Sequence, residues 1–242
     1  MATVQAVVQE GWREILARIF SLDVLDGFQE MATFKVGEAG FIDVPPKEPV
    51  TPDPTREDLF SEGDALTGGG TCEFSGGSAI VAGSGTSFLA DVSPGEWIKP
   101  GPEPHPSLAT RSSGDPGTEE DIWGQVLSVD SNIQITLAAV YAGPTHLFAE
   151  ARPCHKAAEP FFTFRKGLTL ADVLFSSGVP AITEITAIVL ATEGNLDQLG
   201  NNPEFFELGV FDANGVMLLH MTFPLEQKTG AIQLNHVVEL VF

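Results

Sequence analysis

The sequence predicts a mainly β protein with one helix near its N-terminus. Short apolar runs rich in β-branched and aromatic residues recur from residue 31 onward, separated by glycine, proline, asparagine and aspartate. The clearest example is a hairpin in which residues 206–211 and 215–219 flank the turn sequence Asp-Ala-Asn-Gly. Asn214-Gly215 supplies the positive φ angles that a tight β-turn requires.

The final strand follows a second turn at residues 226–230. Apolar and polar side chains alternate over residues 232–242, which is the period of a strand with one buried face. The alternation continues to Phe242, so we expect the edge and face of this strand to be covered by its own sheet or by a neighbouring subunit.

Residues 4–20 show the spacing of an amphipathic helix. Apolar side chains recur there at three- and four-residue steps: Val4, Val8, Trp12, Ile15 and Ile19, with Val7, Leu16 and Phe20 widening the stripe. We expect this helix to cover the sheet formed by the C-terminal strands and to bury Trp12 and Phe20. The alternative is an exposed helix that docks on a partner.

The remaining predicted strands are separated by turn signals. After residues 31–37, five prolines in residues 44–55 favour an extended crossing. Residues 168–174 suit either a short helix or a strand, and residues 182–191 suit a central strand because they are β-branched. The terminal hairpin and the last strand are expected to complete that sheet. Further strands are predicted at residues 78–82, 96–99, 123–129, 134–137 and 161–166.

Residues 68–155 differ in composition from the rest of the chain, which predicts an insertion into a domain made of residues 1–67 and 156–242. A long Pro/Gly/Ser loop at residues 100–121 marks a projecting part of the insertion. Cys72 and Cys154 bracket the insertion, and an inserted domain enters and leaves its host at neighbouring points. Their Cα atoms should lie within about 10 Å, near enough for oxidation although both thiols are expected to be reduced.

The charge balance disfavours several function classes. The chain of 242 residues has 12 basic and 33 acidic side chains and a net charge of −21. Nucleic-acid binding and attachment to an anionic membrane both depend on Lys and Arg, so neither is expected. The acidity serves solubility or matches a partner with a basic face. The chain has no signal-peptide pattern and no apolar run long enough to span a bilayer, which predicts synthesis in the cytoplasm.

The sequence contains no motif for catalysis, cofactor binding or metal binding. Gly68-Gly69-Gly70 is not followed by Lys-Ser/Thr, and the five histidines never pair at helical spacing. The turns beginning at Asp130 and Asp212 lack the spaced carboxylates of a calcium loop. Carboxylate pairs are too abundant in so acidic a chain to indicate a glycosidase. The expectation is therefore a protein that is not an enzyme.

Several phrases resemble proteins from the tails of double-stranded DNA bacteriophages, namely baseplate, tail-collar and fibre-base components. These phrases are "EFFELGVFDANGVMLLHMTFP" and "LNHVVELVF" near the C-terminus and "FKVGEAGF" and "VTPDPTREDL" near the N-terminus. The resemblance covers roughly residues 5–60 and 160–242. Residues 80–100 and 122–143 look like a small β-barrel module that recurs in phage tail and fibre proteins. The implied architecture is a β-sandwich-like domain interrupted by a small inserted β-barrel.

The resemblance implies a structural component of a tailed-phage virion, most simply a tail, baseplate or fibre-attachment subunit, assembled in the host cytoplasm. Its partners would be other virion proteins in a symmetric homo-oligomer or ring, a multiple of three or six, with host contact through loop 100–121. The alternatives are a capsid decoration or head-fibre protein and, less favoured, a tail protein that binds or degrades host polysaccharide. The residues expected at interfaces are Trp12, Phe20, Val238, Leu240 and Phe242.

Overall fold

The protein is mainly β, which confirms the predicted class. The computed structural model describes residues 5–8, 31–42, 46–52, 58–101, 118–120, 122–147, 152–168, 172–176, 182–194, 196–197, 199–212 and 217–241. The chain divides into two compact units. Unit 1 comprises residues 1–59, 104–120 and 163–242, and unit 2 comprises residues 60–103 and 121–162. The boundaries predicted from composition were 67/68 and 155/156.

The described strands of unit 1 form a six-stranded sheet, a three-stranded sheet and a two-stranded ribbon. The strands are β1 (Gln5–Val8), β2 (Met31–Gly37), β3 (Phe41–Ile42), β4 (Glu48–Pro49), β9 (Thr118–Glu120), β13 (Thr163–Gly167), β14 (Val173–Ser176), β15 (Ile182–Val189), β16 (Glu204–Asp212), β17 (Met217–Gln227) and β18 (Leu234–Val241).

The six-stranded sheet has the order β1-β17-β16-β2-β13-β9, with the predicted hairpin near its middle. Strands β16 and β17 pair antiparallel, as the two apolar runs on either side of Asn214-Gly215 predicted; the turn residues themselves lie outside the described part of the chain. One face of this sheet is apolar in its middle, because apolar side chains occupy alternate positions of β2, β16 and β17. Its buried members include Phe34, Val36, Leu208, Val210, Leu219, Phe223 and Phe164.

The predicted helix over residues 4–20 is wrong at its start, because Gln5–Val8 forms strand β1. This strand pairs antiparallel with β17, from Gln5 opposite Thr222 to Val8 opposite Leu219. The physical reason is that Val7 and Val8 are β-branched, and β17 is an 11-residue strand whose edge offers a ladder of backbone hydrogen bonds. Trp12 and Phe20 lie outside the described residues.

The last strand belongs to a different sheet from the hairpin, so the expectation of one shared C-terminal sheet is wrong. Strand β18 pairs with β15 over eight residues, and β15 is the central strand of the order β14-β15-β18, as its β-branched sequence predicted. The chain turns at residues 228–233, where the Ile232 N–H donates to the Thr229 carbonyl at 2.9 Å, and so passes from one sheet to the other.

Unit 2 contains a seven-stranded sheet in the order β5-β12-β8-β10-β11-β7-β6. Four of these strands were predicted; β5, β6 and β12 were not. A 3-10 turn at Phe60–Glu62 and a one-turn helix, α1 (Phe88–Asp91), complete the described elements. The strands are β5 (Asp64–Ala65), β6 (Thr71–Phe74), β7 (Ile80–Ser84), β8 (Trp97–Pro100), β10 (Gly124–Ser131), β11 (Gln134–Leu137) and β12 (Cys154–Ala157).

The loop at residues 100–121 returns to unit 1 and does not lie wholly in the insertion. Strand β9 within this loop pairs antiparallel with β13 at the edge of the six-stranded sheet, with Arg165 opposite Glu119. Residues 102–117 lie outside the described part of the chain.

The proline-rich segment is extended where the structure describes it. Strands β3 and β4 form a short ribbon, and the Val50 N–H donates to the Gly40 carbonyl at 2.8 Å. The hydroxyl of Thr222 in β17 donates to the Val50 carbonyl at 2.6 Å, which holds the segment on the sheet. Within the described ranges, no helix has the length and apolarity needed to cross a bilayer.

Candidate functional sites: a sheet edge and three buried polar clusters

Two of the five predicted interface residues lie in the described part of the chain, both in β18. Val238 is buried at 8% exposure, opposite Ile185 of β15. Leu240 occupies the register position opposite Thr183. Trp12, Phe20 and Phe242 lie outside the described residues. The structure therefore places Val238 in the interior of unit 1, while its neighbour Val237 is 56% exposed.

Strand β18 alternates between a buried and an exposed row, as its sequence predicted. Leu234, His236 and Val238 are buried, whereas Asn235, Val237 and Glu239 are exposed. The buried row faces the six-stranded sheet, since the ring of His236 lies 4.8 Å from that of Phe223 in β17. The exposed row stands at an edge of the three-stranded sheet.

His236 is a buried imidazole without a hydrogen bond at Nε2. The Oε2 atom of Glu226 lies 3.4 Å from this nitrogen. Burial lowers the pKa of His236 to about 4, and burial raises the pKa of Glu226. The imidazole is therefore neutral at neutral pH, and protonating it in place is unfavourable.

We expect unit 1 to lose stability as the pH falls from about 6.5 to about 4, because the unfolded state takes up the His236 proton first. A pKa of about 4 in the folded protein against 6.5 in the unfolded chain corresponds to a loss of roughly 3 kcal/mol in the free energy of unfolding, and this loss is complete below pH 4. Urea unfolding across this pH range measures the loss. In His236→Leu the free energy of unfolding should fall by that much less over the same range.

Glu226→Gln is the matched control, because the raised pKa of Glu226 acts in the opposite direction with pH. This variant should lose at least as much stability as the wild-type protein over the same pH range, because the opposing contribution of Glu226 is removed and that of His236 stays. An unchanged loss of stability in His236→Leu would show that other groups carry the acid sensitivity.

A buried polar row crosses the second face of the six-stranded sheet. The row consists of four residues that lie opposite one another on the successive strands β17, β16, β2 and β13: His220, Gly209, Lys35 and Arg165. The side chains of His220, Lys35 and Arg165 are at most 6% exposed. The His220 Nε2 atom lies 3.1 Å from the Glu207 carboxylate, which is also fully buried.

Lys35 connects residues 58–59, which precede unit 2 in the chain, to this row. Its ammonium donates to both carboxylate oxygens of Asp58, at 2.8 and 2.9 Å, and lies 4.4 Å from the centre of the Phe211 ring. A side chain at Gly209 would collide with Leu59, so the glycine admits Leu59 over the sheet. The row therefore fixes residues 58–59, and its burial closes it to a substrate.

Unit 2 contains a second buried ion pair, between Lys99 and Glu62. Lys99 is 1% exposed and Glu62 is 2% exposed, and the Lys99 ammonium also lies 4.9 Å from the centre of the Trp123 ring. The Nδ1 atom of His155 lies 3.1 Å from the Glu62 carbonyl oxygen, and the Trp123 indole N–H donates to the Phe161 carbonyl at 2.9 Å. This cluster joins the 3-10 turn to strands β8 and β12.

The predicted proximity of Cys72 and Cys154 is confirmed. Both are free thiols in the apolar core of unit 2, and they are hydrogen-bonded to each other. Burial raises the pKa of the Cys154 thiol well above its usual value, and the Cys72 thiol raises it further. The Cys154 thiol is therefore protonated and unreactive at neutral pH. Both cysteines lie inside unit 2 and do not mark its ends.

Two aspartates, the exposed Asp130 and the buried Asp91, accept several hydrogen bonds each. Asp130 accepts from Thr136 at 2.7 Å, from Ser128 at 2.8 Å and from Gln134 at 3.2 Å, and these bonds lower its pKa. The Thr67 hydroxyl and the Gly68 N–H lower the pKa of Asp91 in the same way. Both carboxylates hold local structure, and the described residues contain no cluster of three or more metal-ligating side chains.

The buried clusters were not predicted from the sequence. Lys35, Glu207 and His220 each interrupt an apolar strand, and an isolated polar residue in a strand does not show which other strand will supply its partner. Comparison with known proteins adds no assignment. No family model matches the chain. No curated protein matches it. No solved structure matches it.

Proposed function

We propose that the chain is a structural subunit of a tailed-phage virion, most simply of the tail, baseplate or fibre attachment, assembled with other virion proteins in the host cytoplasm. The sequence resemblance over residues 5–60 and 160–242 motivates this, and the mainly β structure is compatible with it. The observation that carries an assembly role is β18, an eight-residue strand at a sheet edge with the exposed apolar side chain Val237.

For unit 1 the proposed architecture is a β-sandwich. The contact between Phe223 and His236 joins the six-stranded and three-stranded sheets. The inward row of β15, Ile185, Ala187 and Val189, is fully buried, as the core between two stacked sheets requires.

For unit 2 the proposed architecture is a small barrel. The two edge strands of its sheet, β6 and β5, are both joined to the chain around β12: the Cys72 N–H donates to the Arg152 carbonyl, and the Leu66 N–H donates to the Cys154 carbonyl, each at 3.1 Å. Phe74 of β6 also forms a bridge with His146. These bonds support a sheet that closes on itself.

The two units divide the proposed role. Unit 1 would hold neighbouring subunits in a symmetric homo-oligomer or ring, with a copy number that is a multiple of three or six. Unit 2 would contact outer neighbours or the host surface. Host contact through loop 100–121 is a separate proposal, because residues 104–120 of this loop belong to unit 1.

A capsid decoration or head-fibre protein is the second candidate, since the same edge strand would serve it equally well. An enzyme acting on host polysaccharide has less support, because the buried polar clusters described above are closed to solvent and each is joined to structural partners.

Gold-labelled antibody against this protein, imaged on intact virions by negative stain, tests the proposal. We expect label on the tail or baseplate. Label on the head would support the decoration role, and virions without label would contradict a structural role of either kind. An antibody against a known head protein controls for access.

A further inference from the structure

Strand β18 lacks the features by which sheet edges avoid pairing with other chains. Its eight residues are in unbroken register with β15, with no bulge, and it contains neither proline nor lysine. The described edge strands β1, β5, β9 and β14 have two to four residues each. Among the described strands, none pairs with the outer edge of β18.

The hydrogen-bonding direction alternates from residue to residue along a strand, and this shows which residues of β18 direct their N–H and C=O groups toward the outer edge of the sheet. The Thr186 N–H donates to the Asp172 carbonyl at 2.7 Å, so Thr186 directs its backbone toward β14. Its neighbour Ala187 therefore bonds toward β18, where it is opposite His236. It follows that Asn235, Val237 and Glu239 present both N–H and C=O groups at the outer edge.

We propose that β18 pairs antiparallel with β18 of a second copy of this chain, about a two-fold axis at Val237. In this register Val237 is opposite its own counterpart, and each Glu239 is opposite Asn235 of the second copy. An amide donor thus faces each carboxylate. A register centred on Glu239 would place two carboxylates opposite each other.

This contact deepens the proposed assembly role by naming its partner and surface, and it rests on that role. In a two-fold contact the same surface of each copy forms the interface, and this is the simplest closed association of identical chains. The net charge of −21 on each copy opposes the contact at long range. Raising the salt concentration screens this repulsion, so pairing should strengthen with salt.

Light scattering after size exclusion of the full-length protein tests the proposal at about 50 mM and about 500 mM NaCl. We expect two 25.7 kDa chains in one particle of the isolated protein, the pair of which an assembly of six copies would contain three, with a larger dimer fraction at the higher salt. Val237→Pro should give a monomer, because it removes an outward N–H and leaves the bonds to β15 intact. Val237→Thr and Leu174→Lys, the latter on β14 of the same sheet, should stay dimeric.

Cross-linking under a mild oxidant tests the register. Val237→Cys should form an intermolecular disulfide, because the two positions are opposite each other. Glu239→Cys should not, since four residues of strand separate the two thiols by about 13 Å. The wild-type chain controls for its buried cysteines.

A monomer at both salt concentrations, or a dimer that survives Val237→Pro, would overturn this proposal. A ring of three or six copies that survives Val237→Pro would overturn it while leaving the assembly role intact. If gold label is found on virions but the wild-type protein is a monomer, the assembly role stands and the pairing of β18 is wrong.

Discussion

Lys99→Met should lower the free energy of unfolding of unit 2 by about 3–5 kcal/mol, because it leaves the Glu62 carboxylate buried without its partner. The loss has two parts: an uncompensated charge in a site that is almost fully closed to water, and the lost packing of the lysine against Trp123. Urea unfolding followed by tryptophan fluorescence measures it, since Trp97 and Trp123 both lie in unit 2.

The double variant Lys99→Met/Glu62→Gln should recover part of the loss, because no charge is then left buried. Lys156→Met is the matched control within unit 2. Lys156 forms an ion pair with Glu96 at 3.5 Å in which the side chains are 31% and 29% exposed, so we expect a cost below about 1 kcal/mol from the loss of this pair. Equal small losses in Lys99→Met and Lys156→Met would show that the buried pair does not stabilise unit 2.

The strands were predictable where residues alternate or where a run is β-branched. Strand β2, the β16–β17 hairpin and the strands β15 and β18 lie close to their expected positions, because period-two patterns and the Asn214-Gly215 turn are local signals. Predictions about the pairing of distant strands succeeded less often. The separate sheets of β17 and β18 depend on contacts that a linear pattern does not encode.

The N-terminal strand shows how a helical pattern can mislead. Valines at helical spacing also suit a strand, and the long edge of β17 decides between them for Gln5–Val8. Strand β9 was missed because Thr-Glu-Glu carries no strand signal, and its backbone pairs with β13, which is distant in sequence.

The polar clusters could not be predicted because each joins residues that are distant in sequence. Lys35 bonds with Asp58, Lys99 with Glu62 and His220 with Glu207, and a lone charge in a strand indicates burial only when its partner is known. Val238 was predicted as an interface residue from the alternation in the last strand. The structure buries the row that contains Val238 and exposes the row that contains Val237.

The incorporation of variants into phage particles tests most directly the claim that unit 1 carries assembly. The first variant replaces residues 60–103 and 121–162 with short Gly/Ser linkers and keeps Thr118–Glu120, so that β9 still pairs with β13. The second variant is full-length but lacks residues 234–242, which removes β18. Both must be recovered soluble and β-rich by circular dichroism before the comparison.

We expect immunoblots of purified particles to contain the first variant at close to the wild-type level and to lack the second. Unit 1 keeps its six-stranded sheet in the first variant, whereas the second loses the edge strand that we assign to assembly. Particles that contain the second variant and exclude the first would contradict the account and would place assembly in unit 2.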